Sequence, residues 1–326
     1  MRVPDNILKG VAYIGEVAGH DELGNAYGDF QGTGFFVQVP SQHFPTTSFV
    51  YVVTAKHVLT DIKNDVYILL NGKDGGVKQL KSIGPEWWTH PSDKSADVAV
   101  RQVGFQDDVD LLAVQIKDFI SPEEIKAGQV VPGDEVFMAG LFSPAPGIKR
   151  NLPVTRHGNI AMLPDEQIQT EFGFADVYLV EARSIGGLSG SPVFVRPPLR
   201  YGIEMPKGTT AYFDAIGQFR LLGLMHGHWD VKESEINKTD IEHDRKRGVN
   251  LGVGIVVPAL KILETINHPE LVERRILSEE DMAKRNKGIP GMDSAELQAG
   301  DTARPITKQE FEDALEKAAS EPPDQS

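Results

Sequence analysis

Short apolar segments alternate with polar stretches rich in glycine and proline along most of the chain. Up to about residue 260 these segments are four to seven residues long and rich in Val, Ile, Phe and Tyr, which is typical of half-buried β-strands. They lie at 34–39, 49–55, 66–70, 97–100, 135–139, 177–181, 192–195, 219–225 and 252–257. Because no long helical pattern separates them, the crossover helices of a parallel sheet are missing, and the pattern predicts an all-β sandwich or barrel.

The pattern changes towards the C-terminus. Residues 258–267 place a proline before apolar residues at helical spacing, which predicts a helix. Residues 269–326 contain 14 acidic and 8 basic residues and are interpreted as an acidic tail, partly linker or disorder. Within the tail a short helix is predicted at 307–319, where Thr307 and Glu310 form a capping box. This helix could dock on a partner or be a solvated terminal helix.

Composition excludes several classes of protein. The chain has 326 residues, 33 Lys and Arg against 47 Asp and Glu, a net charge of −14 and no cysteine. The acidic balance argues against nucleic acid as a partner, and the lack of cysteine excludes disulfides, thiolate metal sites and a cysteine nucleophile. Residues 1–10 lack the features of a signal peptide, and no apolar run approaches the ~18 residues of a membrane span. We therefore expect a cytoplasmic protein without a membrane partner.

Two long segments interrupt the strand pattern. Residues 196–217 contain three prolines between two predicted strands, and residues 230–248 are a highly charged stretch between two apolar strands. Loops of this length in a compact domain are usually functional or disordered. We expect the loop at 230–248 to act as a lid or to contact a regulatory protein partner; a plain surface excursion is the alternative.

Candidate chemistry begins with the sequence GGLSGSP at 186–192. Ser189 lies among small residues whose backbone can bring N–H groups close to a bound oxygen, and Gly187 and Ser189 have the spacing to supply two such donors to an oxyanion. Glycine- and serine-rich turns are common, so this motif alone is weak. A serine hydroxyl also needs a base to become a nucleophile at neutral pH.

His57 and Asp97 are the candidates for that base and its orienting carboxylate. His57 follows the predicted strand at 49–55, whereas Asp97 directly precedes apolar strand residues. A carboxylate at such a position costs several kcal/mol unless it is paired, and His57 is the natural partner. Taken alone, either residue is more often structural: an ordinary histidine, or an aspartate that caps a turn.

In combination these residues resemble the trypsin-like serine proteases. TAKH contains His57, DVAV begins forty residues later at Asp97, and GLSGSP contains Ser189 after another ninety-two. The resemblance is greatest to the cysteine-free bacterial branches, the high-temperature-requirement (Deg) proteases and the glutamyl endopeptidases, and it covers about residues 7–267. Further matching segments lie at 32–36, 132–140, 154–160, 222–224 and 252–258.

The resemblance implies a chymotrypsin-like fold of two six-stranded antiparallel β-barrels within a protease domain at 1–268. The first barrel would span about 7–118 and carry His57 and Asp97; the second would span about 125–258 and carry Ser189. It also implies a serine endopeptidase: His57 takes the Ser189 proton, Asp97 orients the imidazole, and an acyl-enzyme forms. No cofactor or metal is expected, and the partner is a protein or peptide substrate.

The chain departs from the family pattern at three places. Leu188 precedes the serine where digestive trypsins have an aspartate, so activation by an inserted N-terminus is not expected. Only 58 residues follow the protease domain at 1–268, too few for the peptide-binding domain of Deg proteases. Glutamyl endopeptidases have a histidine where Met225 aligns, so an acidic P1 preference is only one possibility.

The substrate pocket is the part of the site that the resemblance predicts least specifically. It is expected to involve Arg183, Ser184, Met225, His226, Gly227 and His228. The histidines and the arginine would favour an acidic P1 side chain, whereas Met225 would suit an apolar or small one. A metal held by His226 and His228 would lack a third ligand nearby.

Two alternatives to a protease stay open. One is a catalytically silent protease-like module that binds or scaffolds. The other is an esterase-like hydrolase, although such enzymes tend to use a GxSxG turn between strand and helix. The second glycine of that motif is replaced here by Ser191, and a strand is predicted to follow.

Overall fold

The computed structural model describes residues 3–20, 26–60, 62–63, 65–82, 86–105, 107–170, 173–182, 187–205, 209–232 and 248–287. The chain divides into two compact units, Met1–Glu279 and Glu280–Ser326. All the strands and the whole candidate site belong to the first unit. The described part of the second unit is the C-terminal portion of one helix.

An eight-stranded sheet forms the N-terminal half of the first unit. Its strands are β1 (Val11–His20), β2 (Ala26–Pro40), β3 (Ser48–Thr54), β4 (Val66–Asn71), β5 (Val77–Ser82), β6 (Trp88–Thr89), β7 (Ala99–Val103) and β8 (Ala113–Gln115). Their order is β5-β4-β1-β2-β3-β7-β6, and β8 pairs in parallel with β2. All the other pairings are antiparallel. This sheet therefore has eight described strands in place of the six-stranded first barrel that the resemblance implies.

A closed barrel of six antiparallel strands forms the second half. Its members are β9 (Glu135–Gly140), β10 (Val154–Met162), β13 (Tyr178–Glu181), β14 (Pro192–Val195), β17 (Arg220–Lys232) and β18 (Gly248–Pro258), in the order β10-β13-β18-β17-β14-β9. Closure follows from the pairing of β9 with β10. Two hairpins lie outside this sheet: β11 (Ile168–Thr170) with β12 (Gly173–Ala175), and β15 (Pro198–Met205) with β16 (Thr209–Ile216).

The strand residues predicted to be buried fill the interior of this barrel. Val136, Met138, Val193, Leu222 and Val256 are all fully buried in one apolar cluster. Alternation along the strands directs these side chains inward, because successive residues of a strand point to opposite faces. Burying a side chain of this size contributes about 1.5–3 kcal/mol, so the barrel is a stable frame for the loops between its strands.

Within the described residues there are four short or medium helices. They are α1 (Lys56–Thr60), α2 (Pro122–Lys126), α3 (Ala259–Ile266) and α4 (Pro269–Lys287), with 3₁₀ turns at Asp5–Gly10 and Ile116–Asp118. Helix α3 lies where the sequence predicts one, and Pro258 is its N-cap. The prediction of an all-β fold with a six-stranded antiparallel barrel and a C-terminal helix is confirmed.

Helix α4 corrects the interpretation of residues after 268 as tail. Two of its polar residues, both within the first unit, have partners there: Trp88 donates to Glu270 at 3.0 Å, and the Arg275 guanidinium donates to the Tyr51 hydroxyl at 2.8 Å. Leu271 is fully buried. The sequence predicts no helix between 268 and 307, but polar side chains of α4 are hydrogen-bonded to residues far away in the sequence.

Some predicted features lie outside the described residues. The helix expected at 307–319 is one of them, and so is most of the charged loop at 230–248. The described ends of that loop extend the β17–β18 hairpin, with Asp230 opposite Asn250 and Lys232 opposite Gly248. Among the described helices, none has both the length and the apolar content to cross a membrane.

Candidate active site

The pairing of β3 with β7 brings His57 and Asp97 together. Thr54 at the end of β3 lies opposite Ala99 at the start of β7, because the two strands are antiparallel. His57 lies three residues after Thr54 in α1, and Asp97 lies two residues before Ala99. The two residues therefore project from the same end of the sheet.

Asp97 holds His57 at two points. The His57 backbone N–H donates to Asp97 Oδ1 at 2.9 Å, and His57 Nδ1 lies 2.7 Å from Asp97 Oδ2. Because a carboxylate oxygen accepts, Nδ1 carries the proton, and Nε2 is the nitrogen left to act as a base. The carboxylate is mostly buried, whereas the His57 side chain is 35% exposed. A substrate can therefore reach the imidazole while its orienting partner stays shielded.

A second imidazole contacts the same carboxylate. His226 Nδ1 is hydrogen-bonded to Asp97 Oδ2, and the His226 and His57 rings meet edge to face with centroids 4.9 Å apart. Burial alone would raise the pKa of Asp97, but the hydrogen bonds from His226 and His57 hold it well below its usual range. Asp97 is therefore an anion at neutral pH.

A β-bulge explains the direction of the His226 side chain. Along the β17–β18 ladder Met225 pairs with Val256 and Gly227 pairs with Ile255, so His226 is the extra residue of the bulge. Bulges re-aim side chains at the edges of sheets and barrels. Met225 points into the barrel core, and His226, the next residue, reaches Asp97 from the sheet of the other half.

Ser189 lies in a tight turn between β13 and β14. The turn is fixed to the barrel by a hydrogen bond from Gly190 N–H to Met225 O at 2.7 Å. It is fixed to the N-terminal sheet by a bond from Thr33 N–H to Ser189 O at 2.8 Å. The Ser189 hydroxyl donates to the backbone carbonyl of His226 at 2.9 Å. Ser189 and Asp97 therefore both contact His226.

Gly190 gives this turn its shape. Its φ is +85°, a conformation that L side chains rarely adopt. A Cβ there would lie 2.1 Å from the carbonyl oxygen of Thr33. The residue after Ser189 must therefore be glycine for the turn to approach β2 so closely.

The backbone N–H groups of Gly187 and Ser189 are candidate donors to a developing oxyanion. Neither N–H has an acceptor among the residues that the structure describes. Gly187 has a φ of +95°, and its carbonyl is held by the Thr33 hydroxyl at 2.7 Å. The turn thus has fixed backbone geometry with two donors beside the Ser189 hydroxyl.

The residues predicted to form the substrate pocket differ in their surroundings. Arg183 and Ser184 lie outside the described residues. The Met225 side chain is fully buried in the barrel core, and the His226 imidazole is hydrogen-bonded to Asp97. Gly227 and His228 are half-buried on β17, and the position of a Cβ on Gly227 would be open space.

Residue types alone would also suggest a metal site at this cluster, since His57, Asp97 and His226 offer ligand atoms within 4.8 Å of one another. Ligand atoms around tetrahedral Zn²⁺ lie about 3.3 Å apart, given bonds of about 2.0–2.1 Å. The Nδ1 atoms of both histidines are instead in hydrogen-bond contact with one oxygen, at 2.7 Å for His57. The geometry fits shared protons, not a bound ion.

Sequence reasoning missed two residues of this site. It assigned His226 to the substrate pocket, and it gave Thr33 no role beyond a matching segment. A threonine within a predicted strand can be recognised in the sequence. The bulge at His226 cannot, because it is defined by the pairing of β17 with β18.

Comparisons with known proteins give only weak similarity to solved structures. No protein-family model matches the chain, and no curated protein sequence matches it. Among solved structures, the chain is similar to the MamO protease domain from Magnetospirillum magneticum, at 14% identity and a TM-score of 0.38, over 65% of this chain and 94% of that one. It is also similar to an inactive form of Rv3671c from M. tuberculosis H37Rv, at 16% identity and a TM-score of 0.39, over 80% of this chain and 86% of that one. A third similar structure is Deg5, at 15% identity and a TM-score of 0.36, over 58% of this chain and 75% of that one. Values this low carry no inference about activity.

Proposed function

We propose that this chain is a serine endopeptidase of the chymotrypsin-like class, with Ser189, His57 and Asp97 as its catalytic residues. The observation that carries the proposal is the contact between His57 Nδ1 and the buried carboxylate of Asp97 at 2.7 Å. His226 connects this pair to the Ser189 hydroxyl, because it contacts both Asp97 and Ser189. A buried aspartate that fixes the tautomer of a half-exposed histidine is the arrangement that makes a base of Nε2.

The reaction follows from these positions. Rotation about the Ser189 Cα–Cβ bond releases its hydroxyl from the carbonyl of His226 and turns it to His57 Nε2. As the Oγ–C bond forms to the substrate carbonyl, the hydroxyl proton moves to His57, and Asp97 balances the new positive charge. The N–H groups of Gly187 and Ser189 would receive the oxyanion, where losing one donor costs about 3 kcal/mol.

Collapse of this intermediate completes the first half of the reaction. The C–N bond of the peptide breaks, the leaving amine takes the proton from His57, and an ester joins the acyl group to Ser189. Water then attacks the ester with His57 again as the base, which returns the hydroxyl to Ser189. Protons balance without any cofactor.

The substrate class is a peptide or protein. In the Deg and glutamyl-endopeptidase branch that the sequence resembles, the strand at β17 borders the substrate, and the open space at Gly227 supports that placement here. An acidic P1 preference would depend on Arg183 and His228. The loop at 230–248 follows this strand and is our candidate for a lid or a contact with a regulatory partner.

Hydrolysis of a peptide library by purified protein tests the proposal. We expect cleavage that is lost, by about 10⁴-fold or more, in Ser189→Ala and His57→Ala. Asp97→Asn should lose about 10⁴-fold because the amide no longer selects the Nδ1–H tautomer. Cleavage that survives in Ser189→Ala would contradict the proposal.

One observation favours the second candidate, a catalytically silent binding module. The Ser189 hydroxyl donates to a backbone carbonyl of its own barrel. If that bond persisted in every state, the nucleophile would never reach a base. A protein that binds peptides but neither cleaves them nor forms an ester with them would favour this alternative.

A further inference from the structure

Two imidazoles share one oxygen of the buried Asp97 carboxylate. Nδ1 of His57 and Nδ1 of His226 both contact Oδ2, while the backbone N–H of His57 contacts Oδ1. Asp97 thus accepts three hydrogen bonds, and both imidazoles present Nδ1–H to it. The reaction proposed above needs only one of these imidazoles as a base.

The two histidines differ in exposure. The His226 side chain is 9% exposed, compared with 35% for His57. The backbone carbonyl of His226 accepts from the Ser189 hydroxyl. One residue therefore contacts both the carboxylate and the candidate nucleophile, and it does so from the barrel, whereas His57 and Asp97 come from the sheet.

We infer that His226 is a positioning residue for this reaction: its imidazole donates to Asp97 and holds the carboxylate for His57. This inference rests on the proposed function and deepens it.

Charge balance gives the reason. In the attack step the Ser189 proton moves to His57, which becomes a cation beside the single negative charge of Asp97. An uncharged His226 leaves that charge to His57. The Nδ1–H of His226 meanwhile keeps Asp97 Oδ2 in place for His57.

The titratable groups around His226 come from several elements. His57 on α1 and Asp97 before β7 contact its ring. On β17 itself His228 is the next histidine, and the residues of β18 opposite the bulge, Val256 and Ile255, are uncharged. The charged residues of α3 pair elsewhere, with Lys261 on Asp93 and Asp176, and Glu264 on His90.

The test compares two substitutions by the rate of labelling with a fluorophosphonate probe between pH 5 and 9. His226→Asn keeps an N–H donor near the position of Nδ1 but cannot gain a proton. His226→Leu removes the donor. Circular dichroism and thermal unfolding establish that each variant is folded.

At pH 8 we expect His226→Asn to label within about threefold of the unsubstituted protein and His226→Leu to fall about 10- to 100-fold, the loss expected for a hydrogen bond to a charged group. The loss should lie in the rate at saturating probe and not in the probe concentration for half-maximal rate.

Two outcomes would overturn the inference: His226→Leu labels at the unsubstituted rate, or His226→Asn falls as far as His226→Leu. Proton NMR of ¹⁵N-histidine-labelled protein provides a separate readout. Two strongly downfield Nδ1–H resonances are expected, one of which disappears in His226→Asn. One resonance in the unsubstituted protein contradicts the shared carboxylate.

Failure of the proposed function looks different. In that case the unsubstituted protein labels no faster than Ser189→Ala at any pH. The NMR experiment does not depend on labelling, so it still decides whether His226 donates to Asp97.

Discussion

The hydroxyl of Thr33 is expected to be a main connection between the N-terminal sheet and the turn that carries Ser189. Thr33 is fully buried on β2. Its Oγ1 donates to Gly187 O at 2.7 Å and accepts from Leu141 N–H at 2.9 Å. A single hydroxyl therefore satisfies two buried backbone groups of the barrel half.

Replacing Thr33 by valine keeps the shape of the side chain and removes both hydrogen bonds. Each buried backbone group left without a partner costs about 1–3 kcal/mol, so we expect Thr33→Val to lower the free energy of unfolding by about 2–6 kcal/mol. Thr33→Ser is the matched control. It keeps the hydroxyl and loses one buried methyl group, at a cost of about 1 kcal/mol.

Urea unfolding followed by circular dichroism measures both values, and fluorophosphonate labelling measures the effect on the site. Labelling should slow more in Thr33→Val than in Thr33→Ser, because the released Gly187 carbonyl lets the candidate oxyanion donors move. If Thr33→Val is as stable as Thr33→Ser and labels as fast, the connection between the two halves does not depend on this hydroxyl.

Two further predictions concern the turn and helix α4. Gly190→Ala should lower the free energy of unfolding by more than about 1 kcal/mol, since φ is +85° and the added Cβ would meet the Thr33 carbonyl; Gly104→Ala, where a Cβ meets open space, is the control for calorimetric unfolding. Burial raises the pKa of Glu279, but hydrogen bonds from Ser41 and His43 outweigh it and leave that pKa lowered. A lowered pKa stabilises the fold above the unfolded value of about 4.3, and this contribution disappears as the pH falls through the folded value. The stability lost in Glu279→Gln should therefore be full at pH 7 and vanish towards pH 3 in urea titrations, and a loss that does not change with pH would contradict it.

Most of the fold and the pairing of His57 with Asp97 follow from local pattern. The strands are predicted because their apolar residues are short, bounded runs, and the barrel they form is found. A carboxylate next to strand residues needs a partner, and the antiparallel pairing of β3 with β7 supplies it. The need of a buried carboxylate for a partner and the pairing of β3 with β7 therefore lead to the same contact.

The role of His226 could not be predicted in the same way. The resemblance to serine proteases assigns His226 to the substrate pocket. In the structure His226 is the extra residue of the bulge between Met225 and Gly227, which depends on pairing with β18. The partner of the imidazole, 129 positions away in the sequence, lies in the other half of the unit.

A different reason explains why helix α4 is not predicted. Its sequence is polar and is interpreted as the start of the acidic tail. The structure gives those polar groups specific partners, including Trp88 for Glu270, 182 positions away in the sequence. Composition reports how much apolar surface a segment can bury, but it does not report whether its charges are matched by distant residues.

Labelling by a fluorophosphonate probe, with the modified residue identified by mass spectrometry, tests directly whether Ser189 is the nucleophile. We expect one covalent adduct per chain, on Ser189, formed by the unsubstituted protein and absent in Ser189→Ala. Formation should be slower by about 10³-fold or more in His57→Ala, since the hydroxyl has then lost its base. No adduct at any pH between 6 and 9, or an adduct on another residue, would contradict the assignment of Ser189 as the nucleophile.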